Sequence, residues 1–118
     1  MATTGDIVLE AQAAADQFDG PIAKLGEIQE PTLDEIQCLQ RMLDKQADIM
    51  TEAAKNILDS PGLNEALARL QAATTNLKTV AQNMPNVTEV LKKANKFLGY
   101  GTDAVNAIKS VTGGAGAG

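Results

Sequence analysis

Apolar residues recur at helical spacing in four stretches of the chain, and three proline-containing breaks separate them. The breaks are EPT at residues 30–32, SPG at residues 60–62 and MPN at residues 84–86. A pair of residues typical of a helix start stands at each break: Thr32 with Glu35, Ser60 with Pro61, and Asn86 with Glu89. Four helical segments are therefore predicted, with Thr32, Ser60 and Asn86 as the capping residues of the last three.

The second segment, Leu33 to Leu58, has apolar side chains that step by three or four residues. They are Ile36, Leu39, Leu43, Ala47, Met50, Ala54 and Ile57. This spacing predicts one buried helix face. Three further apolar residues, Met42, Ile49 and Ala53, widen the stripe to the breadth expected of a bundle helix.

The third segment, Leu63 to Met84, has strict heptad spacing. Its stripe consists of Leu63, Leu67, Leu70, Thr74, Leu77, Ala81 and Met84, and Ala66, Ala73 and Val80 broaden it. Thr74 is the one polar member. Its hydroxyl can bond to the carbonyl of the preceding turn, so we expect it to be tolerated on the buried face.

The first segment contains Gly20 and Pro21, yet its apolar residues stay in phase across them. They are Ile7, Ala11, Ala14, Phe18, Ile22, Leu25 and Ile28. Proline inside a helix costs about 3 kcal/mol. Two arrangements fit: one helix kinked at Pro21, or a helix to Asp19 followed by a second, short helix capped by Asp19. We favour the break.

The fourth segment begins at Val87 and contains Gly99 and Gly101 on either side of Tyr100. Its predicted face consists of Val90, Leu91, Ala94, Phe97, Leu98, Gly101, Val105, Ile108 and Val111. Each glycine costs about 1 kcal/mol relative to Ala inside a helix. Gly101 lies on the apolar face, where it allows a neighbouring helix to approach closely, and Gly99 lies off it as a candidate hinge. A helix that is continuous or gently bent at these glycines and a helix that stops at Gly99 and restarts at Thr102 are both open, and we favour the first.

These patterns predict an all-α protein, an antiparallel up-down four-helix bundle with its first helix split near Gly20-Pro21. Short links between helices of similar length favour antiparallel neighbours. Residues 1–112 are expected to form one domain. Residues 113–118, GGAGAG, have almost no side chains to pack, and we expect a disordered tail.

Charge and composition exclude several functions. The net charge is −5, which disfavours nucleic-acid binding. Residues 1–60 hold 12 acidic and 4 basic residues, whereas residues 61–118 hold 3 and 6. No secretory signal or transmembrane stretch is recognisable, so a cytoplasmic location is expected, with non-classical secretion left open.

The residues needed for most catalytic and metal chemistry are missing. The chain has no histidine and one cysteine, which excludes Ser-His-Asp and Cys-His catalysis, His-ligated zinc and iron–sulfur sites. Asp44, Asp48 and Glu52 form a carboxylate ladder that is most simply an exposed charged face. Cys38 is expected to be a small buried hydrophobe. We predict no enzyme activity, no cofactor, no metal and no small-molecule substrate.

The remaining hypothesis is a non-enzymatic interaction module, which binds a protein partner or self-associates through apolar helix faces. The expected contact surface is in the fourth segment, where three lysines precede two aromatic residues: Lys92, Lys93, Lys96, Phe97 and Tyr100. The alternative is a membrane-active bundle whose basic amphipathic last helix inserts into or lies on an anionic bilayer. The sequence identifies neither the partner nor the oligomeric state.

Overall fold

The computed structural model describes residues 1–112, and within them the protein is all-α, as predicted. Its elements are α1 (Thr4–Asp16), α2 (Asp19–Gly26), α3 (Leu33–Ala53), α4 (Leu63–Gln82) and α5 (Val87–Lys109). The helices α1 and α2 together take the place of one long helix, which confirms the four-helix bundle. The expected tail, residues 113–118, lies outside the described residues.

Helix starts are fixed by local hydrogen bonds in three of the five helices. Thr3 and Thr32 each form a reciprocal capping box, with Asp6 and Glu35 respectively. The Asn86 side chain accepts a hydrogen bond from the Glu89 amide at 3.0 Å, without the reciprocal bond. The predicted caps at Thr32 and Asn86 are therefore confirmed.

Helix α4 begins at Leu63, the first residue of the predicted third segment, but the predicted cap at Ser60 is wrong. Ser60 and Pro61 lie in a turn before the helix, and Gly62 is the N-cap, without a side-chain bond. The Leu63 amide donates to the Ser60 carbonyl at 3.1 Å, so the turn itself leads the chain into the helix. Helix α3 also ends at Ala53, five residues before Leu58.

The first bundle helix is split, as we favoured, but the break lies upstream of the predicted position. Residues 17 and 18 form a turn, and Asp19 is the first residue of α2. A proline ring clashes with the carbonyl four residues earlier, which for Pro21 is Gln17. Asp19 does not cap α2; its carboxylate accepts a hydrogen bond from Gln46 of α3 at 2.8 Å.

The helices alternate in direction along the chain. The Ala2 amide donates to Asn64 Oδ1 at 2.7 Å, so α1 and α4 start at the same end of the bundle. At that end, the Leu58 amide donates to the Val111 carbonyl at 2.7 Å, and an isolated bridge joins Ile57 to Thr112. The segment that follows α3 is thereby tied to the end of α5.

The lateral order of the helices differs from the chain order. Helices α1 and α5 lie opposite each other, and each packs against both α3 and α4. The consecutive helices α3 and α4 make few direct contacts and therefore lie across the bundle from each other. The expectation of antiparallel neighbours holds for α1 with α3 and for α4 with α5. It fails for α3 and α4, because the linker at residues 54–62 is long enough to cross the end of the bundle.

One cluster of buried side chains joins the helices. Phe18 and Phe97 are fully buried at its centre, with ring centroids 4.6 Å apart in an edge-to-face arrangement. The predicted faces of the first, third and fourth segments largely face this core, with Leu91 as an exposed exception. Thr74 donates its hydroxyl to the Leu70 carbonyl at 3.0 Å, as predicted.

The predicted buried face of α3 is only partly correct: Leu39 and Met50 of the predicted stripe are half-buried against the core. The residues assigned to the edge of its stripe, Met42 and Ile49, are fully buried, and Ala53 is nearly so. Ile36 and Leu43, which were assigned to the stripe itself, are exposed. Successive residues of a helix are about 100° apart, so the burial of Met42 turns Leu43 away from the core.

Helix α5 runs without interruption through Gly99 and Gly101. The alternative start at Thr102 is excluded because this residue is inside the helix, where its hydroxyl donates to the Leu98 carbonyl at 3.2 Å. Both glycines have helical backbones without a positive φ. The favoured continuous helix is therefore confirmed.

Candidate interaction surface

A stripe of apolar side chains runs along the outside of α3, and we call it the outer stripe. It is defined by heptad steps of three and four residues: Leu33, Ile36, Gln40, Leu43, Ala47, Met50 and Ala54. The relative exposure is 68% for Leu33, 50% for Ile36 and 41% for Leu43. Met50 is half-buried against the core, and Gln40 is the one polar member.

The other exposed large apolar side chains do not form such a series. They are Met1, Val8, Leu9, Leu58 and Leu91, which lie outside α3. Single exposed apolar residues are normal on protein surfaces, whereas a contiguous apolar face marks an interaction site. The outer stripe is therefore the part of the described surface that resembles a docking face.

The outer stripe exists because the apolar arc of α3 is wider than the core can cover. On one side, the core arc of Cys38, Met42 and Ile49 faces inward. On the side next to α1 and α2, the Gln46 amide donates to the Ala15 carbonyl at 2.9 Å and to Asp19. These contacts fix the rotation of α3 about its axis, and they leave the outer stripe in solvent.

The predicted contact surface on α5 is only partly present. Phe97 is fully buried, so its assignment to a surface contact is corrected: it is a core residue. Tyr100 is half-buried and packs against the core. Of the lysines, Lys93 bonds to Glu89 at 3.0 Å, and Lys92 stays 72% exposed. These ammonium groups lower the pKa of Glu89, with the Lys93 hydrogen bond as the largest cause.

The two α5 glycines have different surroundings. A Cβ atom built on Gly101 would lie 2.7 Å from Lys45 Cγ and 2.8 Å from Phe18 Cζ. Gly101 therefore allows α5 to approach both α3 and the Phe18 ring. A Cβ on Gly99 would have no atom within 4 Å, so packing does not require glycine there. The role of Gly99 as a hinge stays a prediction.

Gly99 opens onto a groove between α3 and α5. This open depression of about 380 Å³ is lined by charges of both signs, namely Arg41, Asp44, Lys45 and Asp48, together with Asn95, Leu98, Gly99 and Thr102. Arg41 donates to Asn95 Oδ1 at 3.0 Å across the groove. Lys45 and Asp48 are 3.9 Å apart. Of the other two charged residues, Arg41 bonds to the neutral Asn95, and the Asp44 carboxylate accepts a hydrogen bond from Gln40 at 2.8 Å.

The carboxylate ladder on α3 is not uniformly exposed, which corrects our simplest interpretation. Glu52 is buried, and it accepts hydrogen bonds from Lys55 at 2.9 Å and from the Thr112 hydroxyl at 3.1 Å. Burial by itself raises the pKa of Glu52. These two hydrogen bonds and the charges of Lys55 and Lys109 outweigh burial and lower the pKa.

Cys38 is buried, as expected of a small hydrophobe. Burial raises the pKa of its thiol, and the nearby Arg41 charge opposes this shift only in part. A raised pKa disfavours the thiolate, which is the nucleophilic form. The geometry therefore favours a packing role for Cys38.

Among residues 1–112, acidic residues and Cys38 form no cluster of three or more that could hold a metal ion. None of the helices in this part of the chain is long and apolar enough to cross a membrane. Comparison with known proteins adds no assignment: no protein-family model matches the chain, and no curated protein or solved structure resembles it significantly.

Proposed function

We propose that this protein is a protein–protein interaction module that docks a partner on the outer stripe of α3. One observation carries the proposal: three large apolar side chains, Leu33, Ile36 and Leu43, are exposed in heptad register on one helix. Full burial of such a side chain contributes about 1.5–3 kcal/mol, so burial of the exposed part of these three contributes about 1 kcal/mol or more each, and the stripe can supply part of a binding free energy.

The proposal moves the predicted contact surface from α5 to α3. The apolar face of α5 contributes Val90, Phe97 and Ile108 to the core, where all three are fully buried. A partner could reach that face only if α5 left the bundle. The membrane-active alternative has the same requirement, whereas the outer stripe needs no rearrangement.

The test is affinity capture with the intact protein and two matched variants. Ile36→Ser/Leu43→Ser removes the centre of the outer stripe, and Leu9→Ser removes a 72% exposed leucine on α1. We expect a stoichiometric protein, recovered with the native chain and Leu9→Ser, to be lost with the double variant. Far-UV circular dichroism checks that all three proteins keep their helices. Equal recovery by all three, or no stoichiometric partner, would refute the outer stripe as the docking face.

A further inference from the structure

The charges around the outer stripe indicate which kind of partner fits it. Residues 27–59, which contain α3 and its flanking linkers, hold eight acidic and three basic residues. Asp44 lies at the edge of the stripe, where its carboxylate accepts a hydrogen bond from Gln40 at 2.8 Å. Of the eight acidic residues, Glu52 is buried and Asp48 lies 3.9 Å from Lys45, so the acidic charge nearest the stripe is that of Asp44 and of the first turn of α3 at Asp34.

The three basic side chains of this region are engaged away from the stripe. Arg41 bonds to Asn95 of α5, Lys55 bonds to the buried Glu52, and Lys45 lies against Asp48 and beside Gly101. All three lie on the α5 side of α3. Asp44 lines the same groove as Arg41 and Lys45, but among the described residues its carboxylate forms no ion pair and accepts its hydrogen bond from Gln40.

A second copy of the chain is a poor occupant of this face. An antiparallel pair of α3 helices that set Leu43 against Ala47 would bring the two Asp44 carboxylates together near the twofold axis. A parallel pair would align the acidic first turns, which contain Asp34 and Glu35. Like charges at such positions oppose association.

We propose that the occupant is an amphipathic helix of another protein, with a heptad apolar stripe flanked by Lys and Arg. This inference rests on the proposed function and specifies its partner. Helix α3 has 21 residues, or about 31 Å, which is enough for the partner helix to lie along it for several turns. Apolar contacts along the stripe supply affinity, and the flanking basic residues face the acidic edge at Asp44.

The experiment uses two fluorescently labelled peptides with the same Leu/Ala heptad stripe. One carries Lys at the flanking positions and the other carries Glu, and anisotropy titrations measure their binding to the intact protein. We expect the Lys peptide to bind at least about tenfold more tightly than the Glu peptide, with the difference shrinking as salt screens the charges. Equal affinities for the two peptides, or tighter binding of the Glu peptide, would overturn the proposal.

Variants of the protein separate specific docking from general attraction to an acidic surface. Ile36→Ser/Leu43→Ser leaves every charge in place, and we expect it to weaken binding of the Lys peptide by about tenfold or more. Asp44→Asn should weaken it by about two- to fivefold, and Leu9→Ser should leave it unchanged. Undiminished binding by the double variant would overturn the apolar docking mode.

Failure of this inference is distinguishable from failure of the proposed function. If capture returns a partner that depends on the outer stripe but presents no basic amphipathic helix, the proposed function stands and the basic helix is refuted. Sedimentation equilibrium of the native protein adds a second outcome. A dimer that Ile36→Ser/Leu43→Ser dissociates would assign the stripe to a second copy, and it would overturn the basic-helix occupant.

Discussion

Adding one methyl group to Gly99 or to Gly101 should change stability in opposite directions. Alanine is favoured over glycine in a helix interior by about 1 kcal/mol. At Gly99 the new Cβ has no atom within 4 Å, so Gly99→Ala should gain up to about 1 kcal/mol of unfolding free energy. The two positions share the same helix and lie two residues apart, which makes each the control for the other.

At Gly101 the same methyl group has no room. Its Cβ would lie 2.7 Å from Lys45 Cγ and 2.8 Å from Phe18 Cζ, whereas carbon atoms prefer about 3.5–4.0 Å. The Lys45 side chain is 25% exposed and can shift, but the Phe18 ring is fully buried against Phe97. Such overpacking costs about 1–3 kcal/mol, which outweighs the gain in helix propensity. Gly101→Ala should therefore lose up to about 2 kcal/mol.

Urea denaturation followed by far-UV circular dichroism measures both variants on one scale. We expect their unfolding free energies to differ by about 1–3 kcal/mol, with Gly99→Ala the more stable. Thermal scans should give the same order, since 1 kcal/mol corresponds to roughly 4–8 °C for a domain of this size. If Gly101→Ala were as stable as Gly99→Ala, the close approach of α3, Phe18 and α5 at this position would be refuted.

Three further predictions concern α3. Met42→Ala should cost about 2–5 kcal/mol of unfolding free energy because Met42 is fully buried, whereas the adjacent Leu43→Ala should cost less than about 1 kcal/mol. Equal losses of unfolding free energy in urea denaturation would show that α3 is rotated differently about its axis. Glu52→Gln should lower stability by about 1.5 kcal/mol at neutral pH. Because the pKa of Glu52 is lowered in the folded protein, its contribution to the unfolding free energy is complete above its ordinary pKa of 4.5 and is lost as pH falls through the folded value. The difference in unfolding free energy between the native protein and Glu52→Gln should therefore disappear in acid. A difference that is constant with pH would contradict this. Thr32→Ala should cost about 1 kcal/mol by removing the capping box, and Thr32→Ser, which can keep it, should retain most of that stability in the same assay.

The sequence predicted where the helices lie along the chain better than how each is rotated about its own axis. Capping pairs and proline breaks are local signals, and they located the starts of α3 and α5 correctly. Heptad spacing in α4 and the glycine position at Gly101 also agreed with the structure, because each of these helices has one apolar arc that only the core can cover. Helix α3 has an apolar arc broad enough for two faces, and its spacing alone does not decide which face is buried.

The burial of Glu52 was also hard to predict, because it depends on a residue far away in the sequence. Glu52 continues a ladder with Asp44 and Asp48, and its helical spacing is that of a solvated face. It is buried because Thr112, sixty residues further along the chain, supplies a hydroxyl, and because the bridge between Ile57 and Thr112 closes the end of the bundle over it. Such long-range pairing leaves no local signal.

Stability and recognition depend on different faces of α3: the core arc contributes to folding, and the outer stripe is the surface that we propose for partner binding. Substitutions in the core arc, such as Met42→Ala, act on a side chain without solvent exposure, so they change the free energy of folding. Substitutions in the outer stripe, such as Leu43→Ser, act on a side chain that stays 41% exposed in the folded monomer, so this exposed part is available for burial by a partner. A helix that served the core alone would gain nothing from Leu33, Ile36 and Leu43 at exposed heptad positions, where polar residues would reduce the risk of aggregation. The second arc is accounted for if a partner covers it.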